Sequence, residues 1–464
     1  MVMKKKRFDV IIIGAGAGGV AAAIRASQLK AKVALIERSR LGGFCMNSAC
    51  IPFTHMMWAS HIRGFFVSLG KDMGIGFKAD DMEISKLLRR QKDLIGFMQK
   101  GVEGILKKNQ IDLIKAKASL RSPKEVEVDG SILEAEKLII ATGSRWLDPE
   151  FAPIDGKRII TSDHLLTGWK QKGRFLISGD NPFMPEVAQF LAATGSQVYL
   201  ITSEDRLLKR EPKSISSRIT KVLKEAGINV YTRSEILSLK DSKNGLKIKI
   251  NRKGKEESIE IDYLVYMKRK AMLNEIGLER LGLDLDRDYI SVNERMETEI
   301  HGVYAVGDVS APQHRHYSHL ASSGGIVAAE NAMGMKSAID YRTLPRILYT
   351  SPQIACIGLT EKEAKEAGYD VITGTAPLSM NPYGMLLSQD YGLIEIVADK
   401  RYGEILGIHM IGEGVCEIAG YGVLAIQLEA TLEELSKSIL PHPSISESLA
   451  EAARACMSKP IYLP

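Results

Sequence analysis

Cysteine is scarce in this chain, with five in 464 residues, at positions 45, 50, 356, 416 and 456. That is too few for a secreted disulfide framework. It points to a reducing cytoplasm, where a disulfide is usually catalytic rather than structural. Long apolar runs are also missing, which excludes a membrane span. The opening FDVIIIGAGAGGVAAAI mimics an export leader, but its glycines and the periodic pattern behind it argue against export. Charge of one sign is lacking too: the net charge is +6 and the basic residues are scattered. The one basic cluster, Lys4-Lys5-Lys6-Arg7, reads as a solvated tail rather than a nucleic-acid arm. What remains is an ordinary globular composition, 45% hydrophobic and 25% charged, on a chain long enough for roughly two to four domains.

Against that scarcity, GGFCMNSACIPFT (42–54) places Cys45 and Cys50 five positions apart. In an ideal helix five residues advance the chain by roughly 7.5 Å and turn it by ~140°. The two Cα atoms then sit at the limit of disulfide reach or beyond it, with their side chains pointing apart. A bond between them requires a bend, and a bent disulfide is easily reduced. The pair reads as redox-active.

Just upstream, DVIIIGAGAGGVAAAIRASQLKAKVALIER reads as strand, glycine turn, helix, strand. Gly14, Gly16 and Gly19 hold the G-x-G-x-x-G positions. The first makes the turn, the second lets backbone N–H groups approach a pyrophosphate, and the third lets helix and strand pack closely. Glu37 closes the second strand, where a carboxylate binds a ribose hydroxyl. Two later stretches return to such a site. KLIIATGSR (137–145) is a strand with a glycine turn, and TEIHGVYAVGDV (298–309) ends in Gly307-Asp308, a carboxylate placed for a polyol. A fold that returns twice to one site suits a long ligand such as FAD, with a second domain inserted between the returns.

Taken with GGFCMNSACIP, ATGSR, VYAVGDV, YTSPQIACIGLTEKEAKEAGYDV and HPSISE, in order along nearly the whole length, the chain resembles the FAD-dependent pyridine nucleotide–disulfide oxidoreductases, and within them the dihydrolipoamide dehydrogenases. The resemblance implies an α/β fold: two Rossmann-like dinucleotide-binding domains, one for FAD and an inserted one of NAD(P) type, plus an α+β C-terminal dimerisation domain. The implied boundaries are 1–149 and 273–342 for the two parts of the FAD and central region, 150–272 for the insert, and 343–464 for dimerisation. It implies FAD contacts at Gly14, Gly16, Gly19, Glu37, Arg38 and Gly43, at Thr54, Ala118, Ala141, Thr142 and Gly143, and at Asp308 and Ser318. Cys50 becomes the sulfur nearest the flavin and Cys45 the interchange thiol. His442 matches the family base and Glu447 the acid that orients it. In the family this pair comes from the other subunit, so a homodimer is implied. Taken alone, HPSISE also reads as a loop and helix start with Ser444 as N-cap.

Three departures fall in the inserted domain. Its turn, ISGDNPFMPEVA, keeps Gly179 only; Asn181 and Met184 replace the second and third glycines, and Pro182 and Pro185 stiffen it. Thr202 stands where a Glu binds the NAD ribose, and Lys268 where the family has glycine. Together they disfavour NAD(P)H binding, while a strand–turn–helix persists as scaffold. Nearer the chemistry, Phe53 and Thr54 replace the family's serine and lysine. The glutamate that pairs with that lysine remains as Glu186, without its partner, and losing that charge lowers the flavin potential.

HRHYSH, with His314, His316 and His319, reads as a polar loop facing the flavin rather than a metal site. RGFFVSLGKDMGIGF (63–77) reads as helix core, or else as a docking surface. Cys356, Cys416 and Cys456 fit packing roles. SKPIYLP ends the chain without a vicinal cysteine pair, which argues against a mercuric reductase. The leading expectation is an FAD-dependent dithiol–disulfide oxidoreductase acting on a dithiol, foremost protein-bound lipoyl, with another redox protein as electron partner. An ordinary NAD-dependent enzyme and a flavin-bearing structural subunit stay open beside it.

Overall fold

The computed structural model describes residues 5–76, 83–166, 172–285 and 288–464; Lys4 and Phe77 lie outside them. The chain opens with β1 (Lys5–Ile13), α1 (Ala17–Gln28) and β2 (Val33–Glu37). β1 and β2 pair in parallel, Val10 against Val33 through Ile13 against Ile36. Their apolar residues are buried on both faces, as expected of a parallel sheet covered by helices. Next come α2 (Gly43–Ser48), α3 (Cys50–Asp72) and α4 (Ile84–Lys108), then β3 (Asp112–Lys115), β4 (Ala118–Ser122), β5 (Glu125–Val128) and β6 (Ser131–Ile140). The sheet runs β3-β2-β1-β6-β5-β4, and Val303–Ala305 returns from far downstream to pair with β6 in parallel. The two late returns expected from the sequence therefore end beside the first glycine turn.

The basic start is not a tail. Residues 5 to 7 belong to β1, and each meets an acid on another strand of the same sheet: Lys5 with Glu125 and Glu134, Lys6 with Asp112 at 2.6 Å, Arg7 with Glu136 at 3.0 Å. The alternation of a sheet edge, invisible in a four-residue charge run, explains the miss.

A second parallel sheet is built from Asn229–Tyr231, Gln197–Ile201, Arg174–Gly179, Tyr263–Met267 and Ile159–Ile160, in that order. The antiparallel strands Ser234–Ser242, Gly245–Arg252 and Lys255–Ile261 extend this unit. Ser144–Trp146 pairs with Arg269–Ala271 where the chain leaves the first unit and returns. The C-terminal sheet is antiparallel, in the order Arg346–Leu348, Gln353–Gly358, Ile405–Gly412, Leu393–Asp399, Val371–Pro377. One apolar cluster joins Phe53, Met56 and Met57 of α3 to Met184 and Val187 of the second unit and to Leu348 and Ile354 of the third. That cluster fixes the cysteine-bearing helix against both.

The 63–77 stretch departs from the expected core. Leu69 is buried, but Phe65 and Phe66 are exposed, as are Trp58 and Ile62 on α3 and Leu94 and Phe97 on α4. Among the described side chains of that stretch, Leu69 therefore packs into the chain while the two phenylalanines stay at the surface.

Candidate active site

α1 begins behind Gly16, which caps it without any side-chain bond, so its first-turn N–H groups are left for a ligand. The three glycines divide their work as the sequence suggests. Gly14 has φ +106°, and a Cβ there would lie 2.2 Å from the Ala141 carbonyl oxygen. A Cβ on Gly19 would lie 1.8 Å from the Gly14 carbonyl oxygen. A Cβ on Gly16 would meet nothing nearer than Gly43 Cα at 3.9 Å. Two positions are closed by protein and one is open.

The opening is a cavity of about 940 Å³. Gly14, Gly16, Glu37, Arg38, Gly43 and Thr54 line it, and so do Ala118, Ala141, Thr142, Gly143, Asp308 and Ser318. Of the cofactor contacts expected from the sequence only Gly19 is absent, because it is spent on helix–turn packing. Glu37 accepts from the Ala15 and Ser39 N–H groups, both at 2.7 Å, and Arg38 pairs with Glu275. An uncapped helix N-terminus, a strand-end carboxylate and a distant second carboxylate fit FAD.

The cysteines stand at the inner wall. α2 ends at Ser48, Ala49 leaves helical geometry (φ −140°, ψ −101°), and α3 restarts at Cys50. This is the bend that the spacing demands. Both sulfurs open onto the cavity and share a hydrogen bond, and Cys50 Sγ lies 3.3 Å from Ser318 Oγ. That shared bond pulls the Cys45 thiol down and, with burial, pushes Cys50 well up. The pair loses its first proton easily and its second with difficulty, as one unit.

Beside it is a cluster that sequence reasoning missed. Arg269 is buried, with its guanidinium 3.5 Å from the Phe44 ring centroid and 3.2 Å from Asp308. Burial alone would raise the Asp308 carboxyl, but His316, Arg269 and a 2.6 Å bond from Ser144 hold it below its usual value. Trp146 donates to Asp163 at 2.9 Å, and burial pushes that carboxyl up to about 6. The signal in the sequence is the KRK run at 268–270, whose middle residue, Arg269, lines the cavity.

Glu186 also lines the cavity. It is buried and accepts from the Tyr349 N–H at 2.6 Å. Thr54 brings no charge, and burial raises the carboxyl to about 8. A raised acid is neutral in the folded protein and ionised in the unfolded one. Its contribution to stability is therefore full below pH 4.5 and is lost as pH climbs to 8. Glu186→Gln keeps the acceptor for Tyr349 and removes the titration. The variant is expected to melt above wild type at pH 8 by an amount worth roughly 4 kcal/mol, the gap closing by pH 4. A gap that ignores pH across a calorimetric series would refute this.

The second unit's turn is occupied by its own side chains. Asn181 Oδ1 accepts from the Phe183 N–H at 3.0 Å, and Met184 is buried in the core. Phe183 lines the cavity and packs edge-on to Tyr317 at 5.9 Å. Thr202 is buried and accepts from the Glu204 N–H.

His442 Nδ1 lies 3.0 Å from Glu447 Oε1, and Glu447 also accepts from the Ser444 N–H. Ser444 does not cap a helix; its hydroxyl donates to Pro441 O. The His442 side chain is 67% exposed and is not part of the cavity wall. In the HRHYSH loop, His316 and His319 bond to the Ala311 and Pro345 carbonyls. Among the described residues the trio with metal-ligand spacing is Glu211, Cys356 and His409, where Arg346 already holds the carboxylate at 2.9 Å. Cys356 and Cys456 are buried and Cys416 is half-buried.

A dinucleotide cradle that runs into a bent cysteine pair defines a flavoprotein that moves electrons between dithiols and disulfides. The chain belongs to the pyridine nucleotide-disulphide oxidoreductase family, which it matches over residues 8–335, with that family's dimerisation domain over 344–453. It is 34% identical to a dihydrolipoyl dehydrogenase of Thermus scotoductus, with 99% of each chain covered. It is also 34% identical to that of Bacillus subtilis, with 95% of this chain and 97% of the relative covered. In fold it is similar to LpdA from Mycobacterium tuberculosis, at a TM-score of 0.87 and 22% identity, over 96% of this chain and 99% of the other. FAD is the cofactor of this family, and among the described residues no helix is long and apolar enough to cross a membrane.

Proposed function

We propose that the chain oxidises or regenerates a lipoyl-type dithiol through Cys45 and Cys50, and that its second electron partner is a redox protein rather than NAD(P)H. The observation that carries this reading is a contrast between two turns. The first glycine turn opens onto the cysteine cavity, whereas the Asn181 side chain occupies its counterpart in the second unit. Asn181 takes a donor that a pyrophosphate needs, Met184 fills the position of the close-packing glycine, and Thr202 offers no carboxylate to a ribose.

FAD, when bound, supplies a two-electron acceptor beside the cysteines. Cys45 exchanges with the substrate's sulfur, and Cys50 carries the thiolate on the flavin side. Ser318 Oγ lies 3.3 Å from that sulfur, and the bond the two cysteines share favours the first ionisation at Cys45, the interchange sulfur. His442 takes the substrate thiol's proton, and Glu447 fixes its ring by accepting from Nδ1. Because His442 is exposed and lies outside its own chain's cavity wall, it serves the cavity of a second protomer, and the active form is an isologous homodimer. The exposed aromatics of α3, the helix that starts at Cys50, supply an apolar face for a protein partner. The resulting division is an FAD domain (1–149), a nucleotide-free insert (150–272), a central return (273–342) and a dimerisation domain (343–464), in a reducing cytoplasm.

Anaerobic reductive titration tests this. Dihydrolipoamide is expected to reduce the flavin rapidly and raise a long-wavelength thiolate band, while NADH and NADPH leave the spectrum unchanged. Fast reduction by NADH would restore the ordinary dehydrogenase reading.

A further inference from the structure

We propose that Ser318 places the negative charge of the reduced cysteine pair on Cys50, its hydroxyl donating to that sulfur in a wall where Thr54 brings no charge. The proposal rests on the reading of the pair as redox-active.

In the HRHYSH loop, His316 and His319 are spent on the Ala311 and Pro345 carbonyls, and Tyr317 packs on Phe183. Ser318 instead lies against the disulfide, its Oγ 3.3 Å from Cys50 Sγ. It is also the first residue of the Ser318–Ala332 helix, which Tyr317 caps without a side-chain bond. The positive end of that helix dipole therefore stands at the same sulfur. A thiolate only accepts hydrogen bonds, so once Cys50 is charged the hydroxyl donates to it, and a bond to a charged acceptor is the stronger kind. The hydroxyl eases ionisation of both sulfurs, but its 3.3 Å bond is to Cys50.

The charges around the pair lean the same way. Asp308 opposes a negative charge on Cys45, and Arg269 is a cation that acts on Cys50. Glu186 and Tyr349 also act on Cys50, and burial keeps both of them protonated at neutral pH. Against this stands the bond between the two sulfurs, which by itself favours the ion on Cys45. The two placements of the charge are closely balanced, and one hydroxyl decides between them.

A substrate dithiol, R(SH)2, delivers two electrons to the Cys45–Cys50 bond, which breaks, and closes its own S–S bond. Of the two protons it releases, His442 takes one and the cysteine pair keeps the other, so the pair is left with a single negative charge. Ser318 settles where the kept proton sits. With the hydroxyl donating to Cys50, the proton stays on Cys45 and Cys50 is the thiolate on the flavin side. Without it, the charge moves out to the interchange sulfur.

The holoprotein is reduced anaerobically with an equimolar amount of dihydrolipoamide at about pH 7, its long-wavelength thiolate band is recorded, and a short pulse of iodoacetamide is applied. Mass spectrometry then reads alkylation at Cys45 and at Cys50 separately. Charge moved from Cys50 to Cys45 weakens the band and speeds alkylation of Cys45, because the thiolate is the nucleophile. In Ser318→Ala the ratio of band height to Cys45 alkylation rate is expected to fall about tenfold, the worth of one hydrogen bond to a charged group, with Cys50 alkylating no faster. Ser318→Thr keeps the hydroxyl and is expected to restore the ratio. An unchanged ratio in Ser318→Ala would overturn the proposal, as would faster alkylation of both sulfurs, the mark of a site merely loosened. If Ser318→Ala loses its flavin, wild type decides: a strong band with a slow Cys45 sustains the proposal, and a fast Cys45 without the band overturns it. Absence of any dithiol-dependent change at either cysteine would instead remove the reading of the pair as redox-active.

Discussion

Cys50→Ser protein is expected to keep its flavin and lose dithiol turnover by a factor on the order of 10⁴ or more. Serine is nearly isosteric, and the cavity wall around Cys50 and Ser318 tolerates another hydroxyl, so cofactor retention follows. Chemistry does not survive, because a hydroxyl forms no disulfide and yields no thiolate-like nucleophile at neutral pH. His442→Gln is expected to fail for a separate reason, losing its proton acceptor, with turnover down by about 10² to 10⁴.

The two variants together report on geometry. In one protomer His442 is exposed, held by Glu447, and outside the wall that contains the cysteines. If each site draws its base from the second protomer, a Cys50→Ser/His442→Gln heterodimer contains one intact site and one doubly broken site. Dissociating and remixing equal amounts of the two dead homodimers then gives half heterodimers, and about a quarter of wild-type turnover returns. Should base and cysteines belong to one chain, neither site in the heterodimer is intact and the mixture stays dead. Flavin spectra of each variant show whether a dead sample is merely unfolded.

The parts of this site that could be read from the sequence are those whose logic is local. Gly14, Gly16 and Gly19 sit within one turn, and the bend between Cys45 and Cys50 follows from five residues of helical geometry; in the structure it occurs at Ala49. Asn181 and Met184 announced a damaged turn because the motif they interrupt is six residues long. What escaped depends on distant segments. Arg269 matters because a strand pairing sets it opposite Trp146 and because Phe44, on a distant helix, offers a ring face. Lys5 to Arg7 looked like a tail because their acidic partners lie on β3, β5 and β6, more than a hundred residues on. The aromatics of α3 have a helical period consistent with core, and periodicity does not say whose core. Whether Glu186 finds a cation is likewise a question about distant segments, and only the folded chain answers it.

The same locality separates two glycine substitutions that look equivalent on paper. Gly19→Ala is expected to cost both fold and flavin. Its Cβ would lie 1.8 Å from the Gly14 carbonyl oxygen, which is backbone and cannot turn aside. α1 must lift off the turn, yet its other side is pinned: a Cβ on Gly325 of the facing helix would already sit 2.2 Å from the Gly18 carbonyl oxygen. Overpacking of this kind costs about 1 to 3 kcal/mol or more, so the protein is expected to purify largely without flavin and to melt several degrees lower. Gly16→Ala should behave differently. Its backbone, at φ −74°, accepts alanine, and its Cβ meets no protein atom within 3.8 Å. It intrudes only on the space left for the cofactor. The apoprotein is then expected to melt like wild-type apoprotein, while FAD affinity falls by roughly 10- to 100-fold, a loss of about 1.4 to 3 kcal/mol. Calorimetry on apoprotein and fluorescence titration with FAD measure the two quantities separately. Unchanged FAD affinity in Gly16→Ala would mean that the cofactor does not approach the chain at the second glycine, and the cradle would have to be placed elsewhere in the cavity.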